Sequence, residues 1–294
     1  MHLHDDKIKF LEEKANDIRI SIIDMLLAAG SGHTAGPLGM ADIFTALYFH
    51  ILKQDPKNPE LPERDFLILS NGHICPVQYA TMAHAGYFPV EELKTLRKFG
   101  SRLQGHPHRG ALPGIEVTSG PLGSGLGQAV GMALGLKMDK KQNQVFCLMG
   151  DGEQDCGVVW ESVMLAGKHR LDNLTVVIDR NNIQIDGMTE DIMPLEPLRA
   201  KYEAFNWHVI DMNAHDFQAI NEAFEEARGI YEKPVMIIAH TIPGKGIAEI
   251  EFDYRWHGIP PGQGPENAFK KSEQGAAFLN ELRTLGGKIK SEHE

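Results

Sequence analysis

Two short clusters in this 294-residue chain hold the residue types best able to organise a charged ligand. Gly150-Asp151-Gly152 closes one apolar run, and Asp179-Arg180-Asn181-Asn182 closes the next. Thirty positions separate Asp151 from Asn181, the span of one βαβ unit. A right-handed crossover of that length returns the chain to a neighbouring parallel strand pointing the same way. Both clusters should therefore fall at the C-terminal edge of a sheet, where open α/β folds bind ligands. A carboxylate and an amide oxygen form a hard-oxygen pair suited to Mg²⁺, which completes its octahedron with carbonyls, waters and ligand phosphates. Gly150 and Gly152 let a phosphate approach the backbone and the start of the following helix. A tight turn and an unrelated Asn-Asn turn would show the same letters. Strand context, spacing and residue type together favour a metal-diphosphate site.

The chain carries 14 histidines, too many for all to serve chemistry. His2, His4, His169 and His293 read as tail or surface residues. His33, His73, His106 and His257 each adjoin glycine or fall in a predicted loop, where a ligand comes close more readily than in a core. His106-Pro107-His108 does not read as a metal pair, because the proline separates two side chains in an extended segment with no further ligand nearby. Gly123-Ser-Gly-Leu-Gly127 lacks the spacing of a dinucleotide loop and follows a loop, not a strand. Gly127, Gly131 and Gly135 recur every four residues; on a helix they make a smooth face for a neighbouring helix or another subunit.

The elements that must position these residues are read from periodicity. Ile8, Leu11, Ala15, Ile18, Ile22 and Leu26 predict a helix over Lys7–Ala29, stopped by Gly30. A second helix is expected over Leu38–Leu52, a buried strand over Asp65–Ser70, and helices over Ile74–Ala85 and Val90–Phe99. Between Gly100 and Gly125, seven glycines and three prolines predict a long ordered loop, a kind that is usually functional. Strands at Gln144–Met149, Leu174–Asp179, Trp207–Met212 and Val235–Thr241 then alternate with helices at Val158–His169, Leu195–Ala204 and Asp216–Tyr231. The alternation predicts an α/β fold, an open, mostly parallel sheet with helices on both faces. The Gly258–Pro265 segment ends the sheet region, giving one domain over residues 1–265 and a C-terminal helix (Glu266–Leu285) and tail over 266–294.

Composition narrows the partners. At 42% hydrophobic and 7% aromatic residues the chain reads as an ordinary soluble globular protein. Lys plus Arg is 29 against 40 acidic residues, so 29 − 40 gives −11, with no block of like charge. Nucleic acid and anionic membranes are poor partners for that field. An anionic ligand needs a cation or a nest of donors to offset it. The three cysteines, Cys75, Cys147 and Cys156, form no Cys-x-x-Cys pair and argue against a disulfide framework or structural zinc. No apolar signal core or membrane-length run is found, so a reducing cytoplasm is the expected setting.

Gly150-Asp151-Gly152 through Asn181-Asn182 resembles the thiamine-diphosphate motif, and the surrounding segments resemble the N-terminal half of transketolase. The matching segments are Ser31-Gly-His33, Gly39-Met-Ala-Asp42, Ser70-Asn-Gly-His73, Gly105-His106-Pro107, Thr118-Ser-Gly-Pro-Leu-Gly-Ser-Gly125, Ile183-Gln-Ile-Asp-Gly187 and His257-Gly258. Their order is more specific than any one of them. The resemblance implies the thiamine-diphosphate-binding fold of a PP-type domain and a transferase of sugar metabolism. By position, Asp151, Asn181 and the carbonyl of Ile183 would bind Mg²⁺; His73, Gly150, Gly152 and His257 would meet the diphosphate; and Gly120, Pro121 and Leu122 would line the aminopyrimidine. His33, His106 and His257 would surround the reacting sugar or sugar phosphate, where groups that exchange protons near neutral pH are needed.

Two departures qualify the likeness. Cys156 stands where transketolases usually carry a glutamate associated with the subunit interface, whereas the second acidic position, Glu161, is kept. Full-length members also continue into a pyrimidine-binding domain that supplies the glutamate activating the cofactor; nothing here matches it, nor the arginines that grip sugar phosphates. The expectation is a diphosphate-binding subunit of a split, two-subunit transketolase, joined in a heterotetramer to a C-terminal partner subunit, with two copies of each chain. Two alternatives stand beside it: the α subunit of a thiamine-dependent 2-oxo acid dehydrogenase, disfavoured by the sugar-type histidines, and a non-catalytic cofactor-binding homologue.

Overall fold

The computed structural model describes residues 2–263 and 271–285. Its strands are β1 (Phe66–Leu69), β2 (Val145–Gly150), β3 (Leu174–Arg180), β4 (Ile183–Gln184), β5 (Gly187–Met188), β6 (His208–Asn213) and β7 (Val235–His240). Five of them form one sheet in the order β1-β2-β3-β7-β6, every neighbouring pair parallel. β4 and β5 form a separate antiparallel hairpin immediately after β3. The sheet strands read as unbroken apolar runs because both their faces are covered. Phe146, Leu148, Val177, Ile237 and Ala239 turn to one core, and Val145, Cys147, Met149, Val176, Ile178 and Ile238 to the other. The expected open parallel sheet with helices on both faces is the fold found.

Helix α1 (Asp5–Ala29) ends at Gly30, whose left-handed φ of 66° lets its N–H return to the Leu26 carbonyl at 2.8 Å. With α2 (Ala35–Gly39), α3 (Ala41–Ala46) and α4 (Cys75–Ala85) it fills the larger core. The expected helix over Leu38–Leu52 is broken instead at Met40 and finishes as a π-turn over Leu47–Ile51. The Leu38 carbonyl accepts from Arg19 Nε at 3.2 Å, a tertiary bond that replaces helix continuation there. The expected helix over Val90–Phe99 is a 3₁₀ stretch over Val90–Thr95. Only Leu93 and Leu96 turn inward, and their three-residue spacing matches a 3₁₀ period.

On the second face lie α5 (Ser124–Met138) and α6 (Gly157–His169), followed after the hairpin by α7 (Thr189–Ile192), α8 (Leu198–Ala204) and, back on the first face, α9 (Phe217–Gly229). The helix expected from Leu195 begins at Leu198, because Pro197 disfavours helical backbone in the residue before it. Of the α5 glycines, Gly127 faces Ser162 of α6, while Gly131 and Gly135 face open space. The last helix, α10 (Lys271–Leu285), packs on α1. Residues 264–270, at the start of the expected helix, and the tail over 286–294 lie outside the described residues. Among the described residues no helix is long and apolar enough to cross a membrane.

Candidate active site

β2 and β3 run in register so that Gly150 pairs with Asp179, and Asp151 leaves the sheet beside Arg180. Asp151 is 2% exposed. Its Oδ1 accepts from the Gly152 N–H at 2.7 Å; its Oδ2 accepts from Arg180 Nη1 at 3.1 Å, the Asn182 N–H at 2.9 Å and the Thr189 hydroxyl at 3.2 Å. Asn181 Nδ2 donates to Asp179 at 2.9 Å, and Asn181 Oδ1 accepts from the Ile183 N–H at 3.0 Å. Burial pushes the Asp151 carboxyl above its usual value, with Arg180 and the two backbone N–H groups pulling it back. Asp179 is pushed up to about 7 by burial, offset by the Thr241 hydroxyl and reinforced by Asp151.

These donors fit a divalent cation. Among the described residues no cluster of three or more His, Cys, Asp or Glu side chains is placed to hold a metal, so a nitrogen- or sulfur-rich centre is not built. Asp151 Oδ1 and Asn181 Oδ1 each accept a single protein hydrogen bond, leaving an acceptor direction for a hard cation. The buried Asp151 shares the one guanidinium of Arg180 with Glu190 and Glu196, and the buried Asp179 close by has no cation of its own among the described residues, so added positive charge is favourable here.

The Gly150 turn is tied to the long loop by Glu153, a buried carboxylate that accepts from the Ser70 hydroxyl, the Gly123 N–H and the Gly150 N–H. Gly123 has a φ of 83°, and a Cβ there would come within 2.9 Å of the Cys156 Cβ, so glycine is required at this junction. The same junction fixes Gly120, Pro121 and Leu122 over the sheet edge, where Gly120 faces open space and Pro121 and Leu122 are exposed. A Cβ on Gly152 would meet the Gln184 side chain at 2.9 Å, so the turn and the hairpin also close on each other.

Beside this edge the histidines gather. The ring centroids of His33 and His73 are 4.7 Å apart, His73 and His257 5.3 Å, and His33 and His257 5.6 Å. His106 approaches from the loop, its Cδ2 3.3 Å from where a Gly72 Cβ would stand. Burial lowers His33 to about 3 and His257 to about 4, with His257, Arg97 and His106 adding to the effect on His33. Burial also holds His73 and His106 below the ordinary value. All four are therefore neutral at pH 7, each able to give one proton and take one. His33 Nδ1 and His257 Nδ1 are buried without a hydrogen-bond partner, as is Asn71 Oδ1 beside Gly150. Buried polar atoms are rarely left so unless a ligand serves them.

What holds His33 and His257 together is a set of bonds between distant segments. The Thr34 hydroxyl donates to the Ile259 carbonyl at 2.6 Å, and the Gly244 N–H to the Ala35 carbonyl at 2.9 Å. Arg19 and His215 both hold Asp42, at 2.6 and 2.7 Å, and the other ring nitrogen of His215 accepts from the Ile242 N–H at 2.8 Å. Sequence reasoning thus named the residues at the edge and in the histidine group but missed Glu153, Arg180 and Thr189. A signal for the first two was present: a carboxylate directly after Gly152, and an arginine directly before Asn181.

An open parallel sheet whose C-terminal edge offers hard oxygens, glycine turns and unpartnered neutral histidines defines an α/β cofactor-binding domain built for a charged, phosphate-bearing ligand. Residues 11–277 match the family described as transketolase, thiamine diphosphate binding domain. The 6-deoxy-6-sulfo-D-fructose transketolase subunit SqwG of Clostridium sp. (strain MSTE9) is 45% identical over 236 residues, covering 80% of this chain and 86% of that protein. An apulose-4-phosphate transketolase subunit of Phocaeicola vulgatus is 38% identical over 266 residues, 90% of this chain and 94% of that one. The solved transketolase of Campylobacter jejuni superposes with a TM-score of 0.82 at 34% identity, over 96% of this chain but 48% of that one. The chain therefore spans about half the length of the solved transketolase. It belongs to the transketolase family and carries that family's thiamine diphosphate binding domain. That membership removes the 2-oxo acid dehydrogenase alternative.

Proposed function

We propose that the chain binds thiamine diphosphate with Mg²⁺ as the N-terminal subunit of a two-subunit transketolase, moving a two-carbon ketol unit from a ketose to an aldose. The observation that carries this reading is the group of neutral histidines, two with unpartnered ring nitrogens, gathered beside a hard-oxygen edge. Asp151, Asn181 and the Ile183 carbonyl hold the metal; Gly150, Gly152, His73 and His257 meet the diphosphate; Gly120, Pro121 and Leu122 lie along the aminopyrimidine. The bound cofactor would supply an acidic thiazolium carbon able to take up the ketol carbon. The chain's residues orient the sugar: His33 and His257 offer Nδ1 to its hydroxyls, and His106, exposed on the loop, holds or releases a proton at the far side.

The relatives named as subunits support a partner chain, which in this reading supplies the pyrimidine-binding domain in an assembly of two copies of each. In this reading the cofactor domain spans residues 1–265, and the helix α10 (Lys271–Leu285) follows it. The three free cysteines fit a cytoplasmic setting. The test is a ketol-transfer assay of the chain mixed with its partner, with Mg²⁺ and thiamine diphosphate. Turnover is expected in the mixture, and His106→Ala should lower it by roughly 10² to 10⁴-fold with cofactor affinity unchanged. Cofactor binding without transfer from any ketose would leave a non-catalytic homologue.

A further inference from the structure

Of the four histidines in the group, His106 alone is exposed, so the aim of its ring depends on the backbone beneath it. Between Thr95 and Ser124 no helix or strand stiffens that backbone. Its support comes from α4. The Tyr79 hydroxyl donates to the Gln104 carbonyl at 3.0 Å; the Cys75 thiol donates to the Gly105 carbonyl at 3.2 Å and lies 3.6 Å from that of Gln104. Cys75 and Tyr79 are four positions apart, so both stand on one face of the helix. Each is 1% exposed, and neither is used by the site described above.

A thiol donates only while it keeps its proton. Burial pushes the Cys75 thiol up to about 12 and holds the Tyr79 hydroxyl above its ordinary value, so at pH 7 both are fixed donors and neither carries protons. The same helix begins directly behind His73, because the 3₁₀ turn over Gly72–Ile74 runs into Cys75. A Cβ on Gly72 would stand 3.3 Å from His106 Cδ2, which places the His106 ring against the turn that carries His73. One element thus carries His73 and grips the two peptide groups that lead into His106.

We propose that Cys75 and Tyr79 are positioning residues for ketol transfer, fixing the backbone of His106 relative to His73 so that the exposed ring meets the sugar in one orientation. The assignment rests on the ketol-transfer reading, in which His106 holds or releases a proton, and adds to it the groups that aim that ring. Both act through His106.

The test uses the enzyme reconstituted from both chains, with Mg²⁺, thiamine diphosphate and whichever of fructose 6-phosphate, 6-deoxy-6-sulfofructose and L-erythrulose it turns over fastest. Tyr79→Phe keeps the ring and removes the donor; it should lower kcat by about 10-fold, short of the loss in His106→Ala, with KM and cofactor affinity within about threefold of wild type. Cys75→Ala should give a smaller fall, and Cys75→Ser, which keeps an O–H donor, should recover it. In a chain already carrying His106→Ala, Tyr79→Phe should cost no further turnover, because the ring it positions is gone. Equal factors with and without His106→Ala, or no fall in kcat, would overturn the proposal. A second measurement is independent of turnover. In the isolated chain, burial and then Arg97 hold His106 below the ordinary histidine value of 6.5. Followed by NMR in variants that urea unfolding shows to be folded, its titration should move up toward that value in Tyr79→Phe and stay at the wild-type position in Cys75→Ser. An unmoved titration in Tyr79→Phe would overturn the assignment as well. Should the reconstituted enzyme transfer no ketol at all, the functional reading falls, and this titration still decides the positioning role.

Discussion

Asp151 owes its importance to being buried as an anion. A carboxylate 2% exposed is tolerable only while donors or a cation balance it, and Arg180, its balancing group, is shared with two other carboxylates. Asp151→Ala should therefore abolish Mg²⁺-dependent binding of thiamine diphosphate, a loss of several kcal/mol. Calorimetry on the assembled complex reads it directly; affinity within threefold of wild type would sink the assignment of Asp151. The histidines give a second expectation at this scale. His33 and His257 titrate near 6.5 when unfolded but only at about 3 and about 4 when folded. Between those limits the unfolded chain binds the extra protons, so stability falls as pH drops from about 6.5 toward 4, by up to roughly 1.4 kcal/mol per pH unit for each ring. Above that window both states are neutral and the rings contribute no slope. His257→Gln should flatten the pH dependence of urea unfolding of the isolated chain, and an unchanged slope would mean the folded ring protonates freely. Asp151 and Asn181 were legible in the sequence because a strand ladder fixes where a residue thirty positions on emerges. Thr189 was not, since its bond to Asp151 depends on how the short segment after β3 folds back, and no periodicity records that path.

At the scale of elements, the strands were readable because burial on both faces leaves an unbroken apolar run, and α1 because its apolar stripe ends at a glycine. The break at Met40 escaped because its cause, Arg19 reaching the Leu38 carbonyl, lies on another helix. The β4–β5 hairpin escaped because two-residue strands have no period to detect. Helix α6 offers a prediction of its own. Cys156 occupies its N-cap, with extended backbone at ψ 125° but no side-chain hydrogen bond to the first turn. A hydroxyl of similar size accepts where a thiol does so poorly, so Cys156→Ser should stabilise the chain by about 0.5–1 kcal/mol. Urea unfolding measures this; a loss instead would show that burial of the half-buried thiol matters more than the cap.

For the whole molecule, the question is what covers the outer face of α5 and α6. Gln128, Gly131, Gly135 and Met138 form one exposed stripe on α5, and beside it α6 exposes Val158, Met164 and Leu165, with Leu122 at the near end of the loop. Scattered exposed apolar residues are ordinary, but a continuous set next to a cofactor site marks an interaction surface. Gly131 and Gly135 meet nothing within 4 Å, so another backbone can approach closely there. In the proposed assembly this face lies against a subunit. Met164, 57% exposed, tests that without disturbing the core. In the isolated chain Met164→Glu is a surface change, expected to alter stability by less than about 0.5 kcal/mol. In the assembly it buries a carboxylate with no partner, which costs several kcal/mol unless a proton is taken up. Sedimentation of the two-chain mixture should show association weakened by at least about 100-fold, while the melting temperature of the single chain stays near that of wild type. Association equal to wild type would place the subunit contact on a different face, and a matching drop in single-chain stability would show that Met164 packs within its own fold.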